Sequence, residues 1–195
     1  MLVCACQYVI ARLNYICELL VQLFMLCTFF ISLFSNSLSF VKTVCATGFN
    51  AGHSTLLWLL ANPSLKVYSF DLNTHPCTAP MAEYMKKRFP DRFTITFGDS
   101  TETLPVFRRD NPDVKCDLMI ADGGHTVEVA SADFENFYQM SNKKNIVFYD
   151  NHPDRFKIGA SWELLKRRGV LTEYFRCQYP ERRKHGFTFG QFILS

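Results

Sequence analysis

The sequence predicts an α/β fold: a Rossmann-like, doubly wound sheet of about seven strands, mostly parallel with an antiparallel last strand, and helices on both faces. Three observations lead there. From Val41 onward, short apolar runs alternate with longer amphipathic ones, as strands and crossover helices do. The first apolar run passes into the glycine turn Thr47-Gly48-Phe49-Asn50-Ala51-Gly52-His53-Ser54, and a helix opens directly after it. Later strands keep apolar interiors but end in polar residues, the distribution expected of a ligand crevice at the carboxyl edge of a parallel sheet.

The strands are read at 41–46, 66–70, 93–97, 117–121, 146–149, 173–177 and 187–194, and the helices at 54–61, 80–89, 101–109, 127–140 and 158–168. In the fourth helix Val127, Ala130, Phe134 and Phe137 recur at helical spacing, which assigns one face to the core. The last two strands are joined by the polar loop 179–186, too short for a crossover helix, so they are expected to pair antiparallel. No internal repeat, low-complexity tract or linker interrupts the 195 residues, and a chain of this length suits one well-buried domain. Its expected parts are an apolar N-terminal segment, 1–40, and the α/β domain, 41–195.

Hydrophobic residues make up 48% and charged residues 20%, a globular balance that predicts a large core. The formal charge is only +3, and the basic clusters Lys86-Lys87-Arg88 and Arg182-Arg183-Lys184 alternate with acidic stretches. Nucleic acid is therefore not expected as a partner, since phosphate binding needs concentrated positive charge. The eight cysteines are scattered, several inside apolar runs, so reduced thiols are expected, Cys45 as a buried one in the first strand. No Cys-x-x-Cys pair is present, which argues against structural zinc.

Residues 1–40 carry only Arg12 and Glu18 as charges, and 19–41 carry none. A bilayer span needs about 20 predominantly apolar residues, whereas the densest run, 19–34, is shorter, contains Gln22 and gives way to Ser35-Asn36-Ser37. Two readings stay open: a membrane anchor through 19–41, or a helix buried against the sheet. Localisation is accordingly left between a soluble and a membrane-anchored intracellular protein. A cleaved signal peptide fits less well, because a charged leader and a small-residue cleavage pattern are poorly defined.

Gly48 and Gly52 are the expected hinges of the glycine turn, letting backbone approach a ligand where side chains would block it. The second strand ends at Asp71, placed to accept hydrogen bonds from both hydroxyls of a ribose. Gly98-Asp99-Ser100 follows the third strand and Asp122-Gly123-Gly124-His125 the fourth, so four polar strand ends share one edge.

With these residues in order, the stretch from about Val41 to Leu194 resembles a class I S-adenosylmethionine-dependent methyltransferase, in particular its small-molecule O-methyltransferase branch. The resemblance implies that Gly48, Asn50, Gly52 and Ser54 line the methionine portion of S-adenosylmethionine, that Asp71 meets the ribose, and that Asp99 and Ser100 meet the adenine. It also implies a small-molecule methyl acceptor and a terminal antiparallel strand pair. One departure stands out: the acidic residue that often precedes the first glycine by two positions is Ala46 here.

The fifth strand runs into Tyr149-Asp150-Asn151-His152-Pro153, which sets Asp150 and Asn151 beside Asp122 on the same edge. Hard oxygen donors of this kind suit Mg²⁺ or another divalent cation. The set resembles the catechol O-methyltransferase group, in which an Asp after the fourth strand and an Asp-Asn pair after the fifth hold a divalent metal. There a lysine three residues beyond the first metal Asp acts as base, and the matching position is His125. A histidine, with a reference pKa of about 6.5, is suited to accept a hydroxyl proton near neutrality. Asp122 and His125 are thus the candidate catalytic pair. The competing local reading makes Asp150, Asn151 and His152 a turn before Pro153 and His125 a helix cap. Phe49, Trp58, Tyr149 and His152 are candidates for shaping the acceptor pocket, although apolar residues in such places commonly belong to the core.

A catalytically inactive relative, serving as a membrane-tethered or partner-binding scaffold, is the alternative that Ala46 and the apolar N-terminus suggest. A nicotinamide-dependent dehydrogenase fits less well, because the turn reads Gly-x-x-x-Gly and not Gly-x-Gly-x-x-Gly. No Gly-Lys-Ser phosphate loop or Ser-His-acid arrangement supports a hydrolase or a nucleotide triphosphatase.

Overall fold

The computed structural model describes residues 40–150, 159–178 and 186–194. Along the chain these form β1 (Thr43–Thr47), α1 (His53–Ala61), β2 (Lys66–Asp71), α2 (Thr78–Arg88), β3 (Phe93–Phe97) and α3 (Ser100–Asp110). There follow β4 (Cys116–Ala121), α4 (Val127–Met140), β5 (Ser141–Asp150), α5 (Gly159–Arg167), β6 (Leu171–Gln178) and β7 (Gly186–Phe192). The seven strands make one sheet in the order β3-β2-β1-β4-β5-β7-β6. β1 to β5 run parallel, and β7 lies antiparallel between β5 and β6. The expected Rossmann-like architecture, with its antiparallel last strand, is what forms.

Side chains alternate between the two faces because successive strand residues point opposite ways. Val44, Ala46, Leu118, Ile120 and Phe148 pack against Trp58 and Leu59 of α1 and Ala82 and Met85 of α2. On the opposite face Cys45, Phe70, Met119, Ala121, Val147 and Tyr149 meet Leu104 of α3, Phe134 and Phe137 of α4 and Trp162 of α5. Both faces are thus covered, as a parallel sheet requires. Val41 is buried in the first of these layers, with Phe40 packed against it. The open question over residues 1–40 otherwise falls outside the described residues, as do 151–158 and most of the loop 179–186. Among the described residues no helix is long and apolar enough to cross a membrane.

Two features differ from expectation. β5 begins at Ser141, directly after α4, and not at Ile146. The polar run Asn142-Lys143-Lys144 reads as loop, yet Ser141 pairs with Cys116 through backbone alone while both lysines stand exposed. The second difference corrects the reading of the cysteines: Cys45 and Cys116 form a disulfide, with Cα atoms 5.9 Å apart, inside the usual range for such a bridge. Strand alternation from Met119 would set Cys116 on the other face, but a register irregularity between Cys116 and Leu118 turns it toward Cys45.

Asp117 sits inside that irregularity. Its Oδ2 accepts the N–H groups of Lys42 (2.8 Å) and Thr43 (3.0 Å), and its Oδ1 accepts the Asn142 amide at 2.7 Å. One buried carboxylate thereby joins the entries of β1, β4 and β5. Asp117→Ala is expected to cost about 2 kcal/mol, because it strands part-buried N–H donors and removes hydrogen bonds to a charge. Urea unfolding checks this, and a loss under about 1 kcal/mol would show the tie to be dispensable.

Candidate functional site

The strand order reverses between β1 and β4, so the loops leaving these neighbours diverge to opposite faces and open a crevice at the carboxyl edge. Gly48, Asn50, Gly52 and Ser54 follow β1, Asp71 ends β2, and Asp99 and Ser100 follow β3. Asp122 and His125 follow β4, and Asp150 ends β5. The fold thus brings these positions to one rim. Asn151, the third metal candidate, lies outside the described residues, and so does His152.

The turn after β1 depends on left-handed backbone, with φ of 84° at Gly48, 50° at Asn50 and 71° at Gly52. A Cβ on Gly48 would stand 2.0 Å from the carbonyl oxygen of Asp122, so the exits of β1 and β4 touch where only hydrogen fits. Gly48 donates its N–H to the Phe70 carbonyl at 2.9 Å, and Gly52 its own to Phe49 at 2.8 Å. The second of these folds the Phe49 ring beneath Gly52. Ser54 is half-buried in the first turn of α1, and Asn50 is exposed at the tip of the loop.

Asp71 performs a task the sequence does not reveal. Its Oδ2 accepts the N–H groups of Phe49 and Asn50, each at 2.8 Å, and its Oδ1 accepts that of Asn73 at 2.7 Å. A carboxylate oxygen has about two lone pairs, so the glycine turn fills Oδ2 and a further donor finds room at Oδ1. Beside it, Leu72 is 58% and Phe97 39% exposed, and Phe97 pairs with Asp71 in register. Two large apolar side chains at a polar rim suit a flat ring. Sequence reading passes over them because a strand-end Phe and Leu look like core.

Asp99 caps α3, its Oδ1 accepting the backbone N–H of Thr101 at 2.9 Å and the Thr101 hydroxyl at 2.7 Å. Those bonds, the hydroxyl first, hold its carboxyl below the usual range. Ser100, the next residue, is buried. Thr126 caps α4 by accepting the Val129 N–H at 3.2 Å, so capping does not fall to His125, which stands exposed just before it.

Asp122 and Asp150 meet at the ends of neighbouring strands, with Ala121 opposite Tyr149 in register. Loss of water, then the charge of Asp150 and a hydrogen bond with it, push the Asp122 carboxyl well above the ordinary range. Two carboxyls this close do not both ionise without a cation. Among the described residues no three His, Cys, Asp or Glu side chains group as a metal site. The pair's hard oxygens nonetheless fit a divalent cation that has further oxygen ligands. The acceptor-pocket candidates Phe49, Trp58 and Tyr149 are buried in the two apolar layers.

Asp133 is the residue that sequence reading misses. It sits on the inner face of α4, 1% exposed, between the apolar Ala130 and Phe134. Its Oδ2 lies 3.4 Å from where a Gly123 Cβ would be, and that same Cβ would stand 2.9 Å from Thr47. Burial pushes the carboxyl up to about 6, against hydrogen bonds from Ser100 and Thr47 that lower it, while Asp99 adds a further upward push. The Thr47 contact is only loosely aligned: neither Thr47 Oγ1 nor Asp133 Oδ1 has a partner of good geometry. The signal available beforehand is an acid on the apolar stripe of a helix that also carries Phe134 and Phe137.

Residues 45–152, more than half of the chain, match a family model described as a methyltransferase domain. No curated protein matches the chain. Among solved structures the fold is similar to that of the O-methyltransferase TomG from Streptomyces achromogenes, involved in tomaymycin synthesis and solved in complex with S-adenosylmethionine. The TM-score is 0.67 at 16% identity, over 88% of this chain and 79% of that one. An O-methyltransferase from Bacillus cereus, in complex with S-adenosylhomocysteine, superposes at 0.66 with 13% identity, over 88% and 80%. A putative O-methyltransferase from Klebsiella pneumoniae gives 0.64 at 14% identity, over 85% and 79%.

Asp133 also sets a pH dependence. Its folded pKa, about 6, exceeds the ordinary 3.8, so the folded state holds the proton more tightly than the unfolded chain. The wild type therefore loses stability as pH rises from about 4 to about 6, and the loss is constant above that. Asp133→Asn does not titrate, and it should gain about 2 kcal/mol on the wild type between pH 4 and pH 7. Urea unfolding of both proteins at the two pH values checks this, and equal differences at both would contradict it.

Proposed function

Because the chain belongs to the methyltransferase-domain family and is an S-adenosylmethionine-dependent methyltransferase, we propose that it methylates an oxygen of a small hydroxylated molecule. The observation that carries this reading is the glycine turn after β1, tied by Asp71 through two backbone N–H groups at the point where strand order reverses. That is where an open α/β sheet holds a nucleoside-bearing ligand.

When bound, S-adenosylmethionine supplies a methyl group already activated on its sulfonium, and the sulfur keeps the bonding electrons when the methyl leaves. Gly48, Asn50, Gly52 and Ser54 line its methionine portion, where the absence of side chains at the two glycines lets backbone come close. Asp71 receives a ribose hydroxyl through Oδ1, and Leu72 and Phe97 flank the adenine beside Asp99 and Ser100. His125, exposed on the loop that leaves β4, accepts the proton of the acceptor hydroxyl as its oxygen attacks in line. Aligning the two reactants is the chain's main contribution, and positioning of this kind supplies up to about 7–11 kcal/mol in ideal intramolecular cases.

Asp122 and Asp150, with Asn151, are the residues that would hold Mg²⁺ or another divalent cation, whose charge would make the acceptor hydroxyl more acidic. The support is the mutual repulsion of the two carboxyls, which such an ion relieves. The alternative of a silent scaffold finds no support in the site: the Ala46 side chain is packed in the apolar layer of α1 and α2, away from the rim.

Titration calorimetry is expected to show binding of both S-adenosylmethionine and S-adenosylhomocysteine, and methyl-labelled S-adenosylmethionine should label a member of a panel of small hydroxylated acceptors. His125→Ala should lower kcat by about 10²- to 10⁴-fold while cofactor affinity holds. Absence of binding heat with either compound would sink the assignment, and full turnover by the variant would remove His125 as base.

The metal is tested separately. Excess chelator should abolish turnover, added Mg²⁺ should restore it, and Asp150→Ala should reproduce the chelated state without loss of cofactor binding. Undiminished turnover in chelator would show that Asp122 and Asp150 serve the reaction without an ion.

A further inference from the structure

Asp133 lies directly under the rim on which the proposed cofactor site is built. The carboxylate touches three of the segments that form that rim. Thr47, the last residue of β1, lies beside it with its hydroxyl only loosely aligned. Ser100 reaches it from the first turn of α3, and Gly123, on the loop leaving β4, packs against its Oδ2. Oδ1 has no hydrogen-bond partner, and no lysine, arginine or histidine among the described residues pairs with the group. A buried carboxylate without a cation is costly, and a chain that needed only a tether at this point would do better with Asn, which keeps the shape and one acceptor oxygen without the charge. The neighbouring charge from Asp99 is also negative, so among the described residues nothing neutralises the potential beneath the rim.

We propose that Asp133 is an electrostatic positioning residue for S-adenosylmethionine, placing a fixed negative charge under the crevice that favours the cationic cofactor over its neutral-sulfur product. This rests on the reading of the rim as the cofactor site. S-adenosylmethionine carries one positive charge more than S-adenosylhomocysteine, on the sulfonium, and the two are otherwise nearly the same shape. A charge held in a poorly screened interior acts over distances at which water would have quenched it. Asp133 therefore helps capture the loaded cofactor and loosens its grip once the methyl has gone, without touching either molecule.

The test is the ratio of the two affinities, measured by titration calorimetry at pH 8 on the full chain. Asp133→Asn, which keeps the shape and removes the charge, should weaken S-adenosylmethionine by roughly tenfold and S-adenosylhomocysteine by less than about threefold. Asp133→Glu, which keeps the charge, should leave the ratio near that of the wild type. A merely structural residue would weaken both ligands alike. If Asp133→Asn does not fold, Asp133→Ala takes its place with the same expected change in the ratio. Equal weakening of the two ligands in the neutral variants, or no weakening, overturns the inference while leaving the cofactor site intact. A wild-type protein that binds neither ligand overturns the cofactor site itself, and this inference with it.

Discussion

The exits of β1 and β4 meet at Gly48, where a methyl group in place of hydrogen would stand 2.0 Å from the Asp122 carbonyl oxygen. Everything that the crevice offers a ligand depends on that contact. It lets the glycine turn lie against the loop that carries Asp122 and His125. It also fixes the left-handed path that presents the N–H groups of Phe49 and Asn50 to Asp71. The turn is therefore shaped from two sides, by backbone crowding against β4 and by a carboxylate from β2. A loop with positive φ at three positions would otherwise be a flexible segment, since such conformations cost little at glycine and gain nothing by themselves. Here it is pre-ordered, and a ligand that binds it does not bear the full entropy of ordering it.

The same rim collects carboxylates in several distinct states. Asp71 is occupied by backbone N–H groups, and Asp99 is held low by Thr101. Asp122 is held high beside Asp150, and Asp133 is buried against Thr47, Ser100 and Gly123 at about 6. Of these, Asp122 beside Asp150 and Asp133 in the interior oppose folding when ionised, because charge in a dry region is disfavoured unless a positive charge arrives. A sulfonium cofactor brings one positive charge and a divalent cation two. The acids are placed on separate elements: Asp122 and Asp150 end neighbouring strands, β4 and β5, while Asp133 projects from α4 toward the exits of β1 and β4 and the start of α3.

Much of the scaffold is legible in the sequence, because alternation of apolar runs decides strand and helix in a parallel sheet and polar strand ends decide which edge is open. Thus β3 and α4 begin and end where the pattern places them, and Gly48, Asp71, Asp99, Asp122 and Asp150 come to one rim as their spacing implies. What escapes is whatever depends on tertiary contact. The pairing of Ser141 with Cys116 extends β5 through a run of polar residues, and a local irregularity in β4 brings Cys116 to Cys45. The orientation of Asp133 is hidden for the same reason. Its place on the apolar stripe of α4 hints at burial, but what surrounds it becomes visible only when Thr47, Ser100 and Gly123, distant in sequence, are brought together.

The far side of the crevice is steadied by a chain of contacts that no motif announces. Tyr149, the residue before Asp150, stacks on Trp162 of α5, with ring centroids 5.9 Å apart. Phe134 of α4 meets both rings edge-on. The Trp162 indole donates to Glu173 Oε2 of β6 at 2.7 Å. Arg176 bridges Glu173 to Glu163 of α5, and Lys166 adds its charge to both acids. An exposed ion pair alone contributes little, but here two cations are shared between two acids, one of which is also fixed by an indole. The outcome is that α5 cannot slide along β6 without breaking several contacts together. Because Tyr149 is packed between α4 and α5, the end of β5 inherits that rigidity, and with it the separation of Asp150 from Asp122. The spacing of the two carboxyls is thus set as much by an aromatic and ionic brace on the covered face as by the strand pairing that brings them side by side.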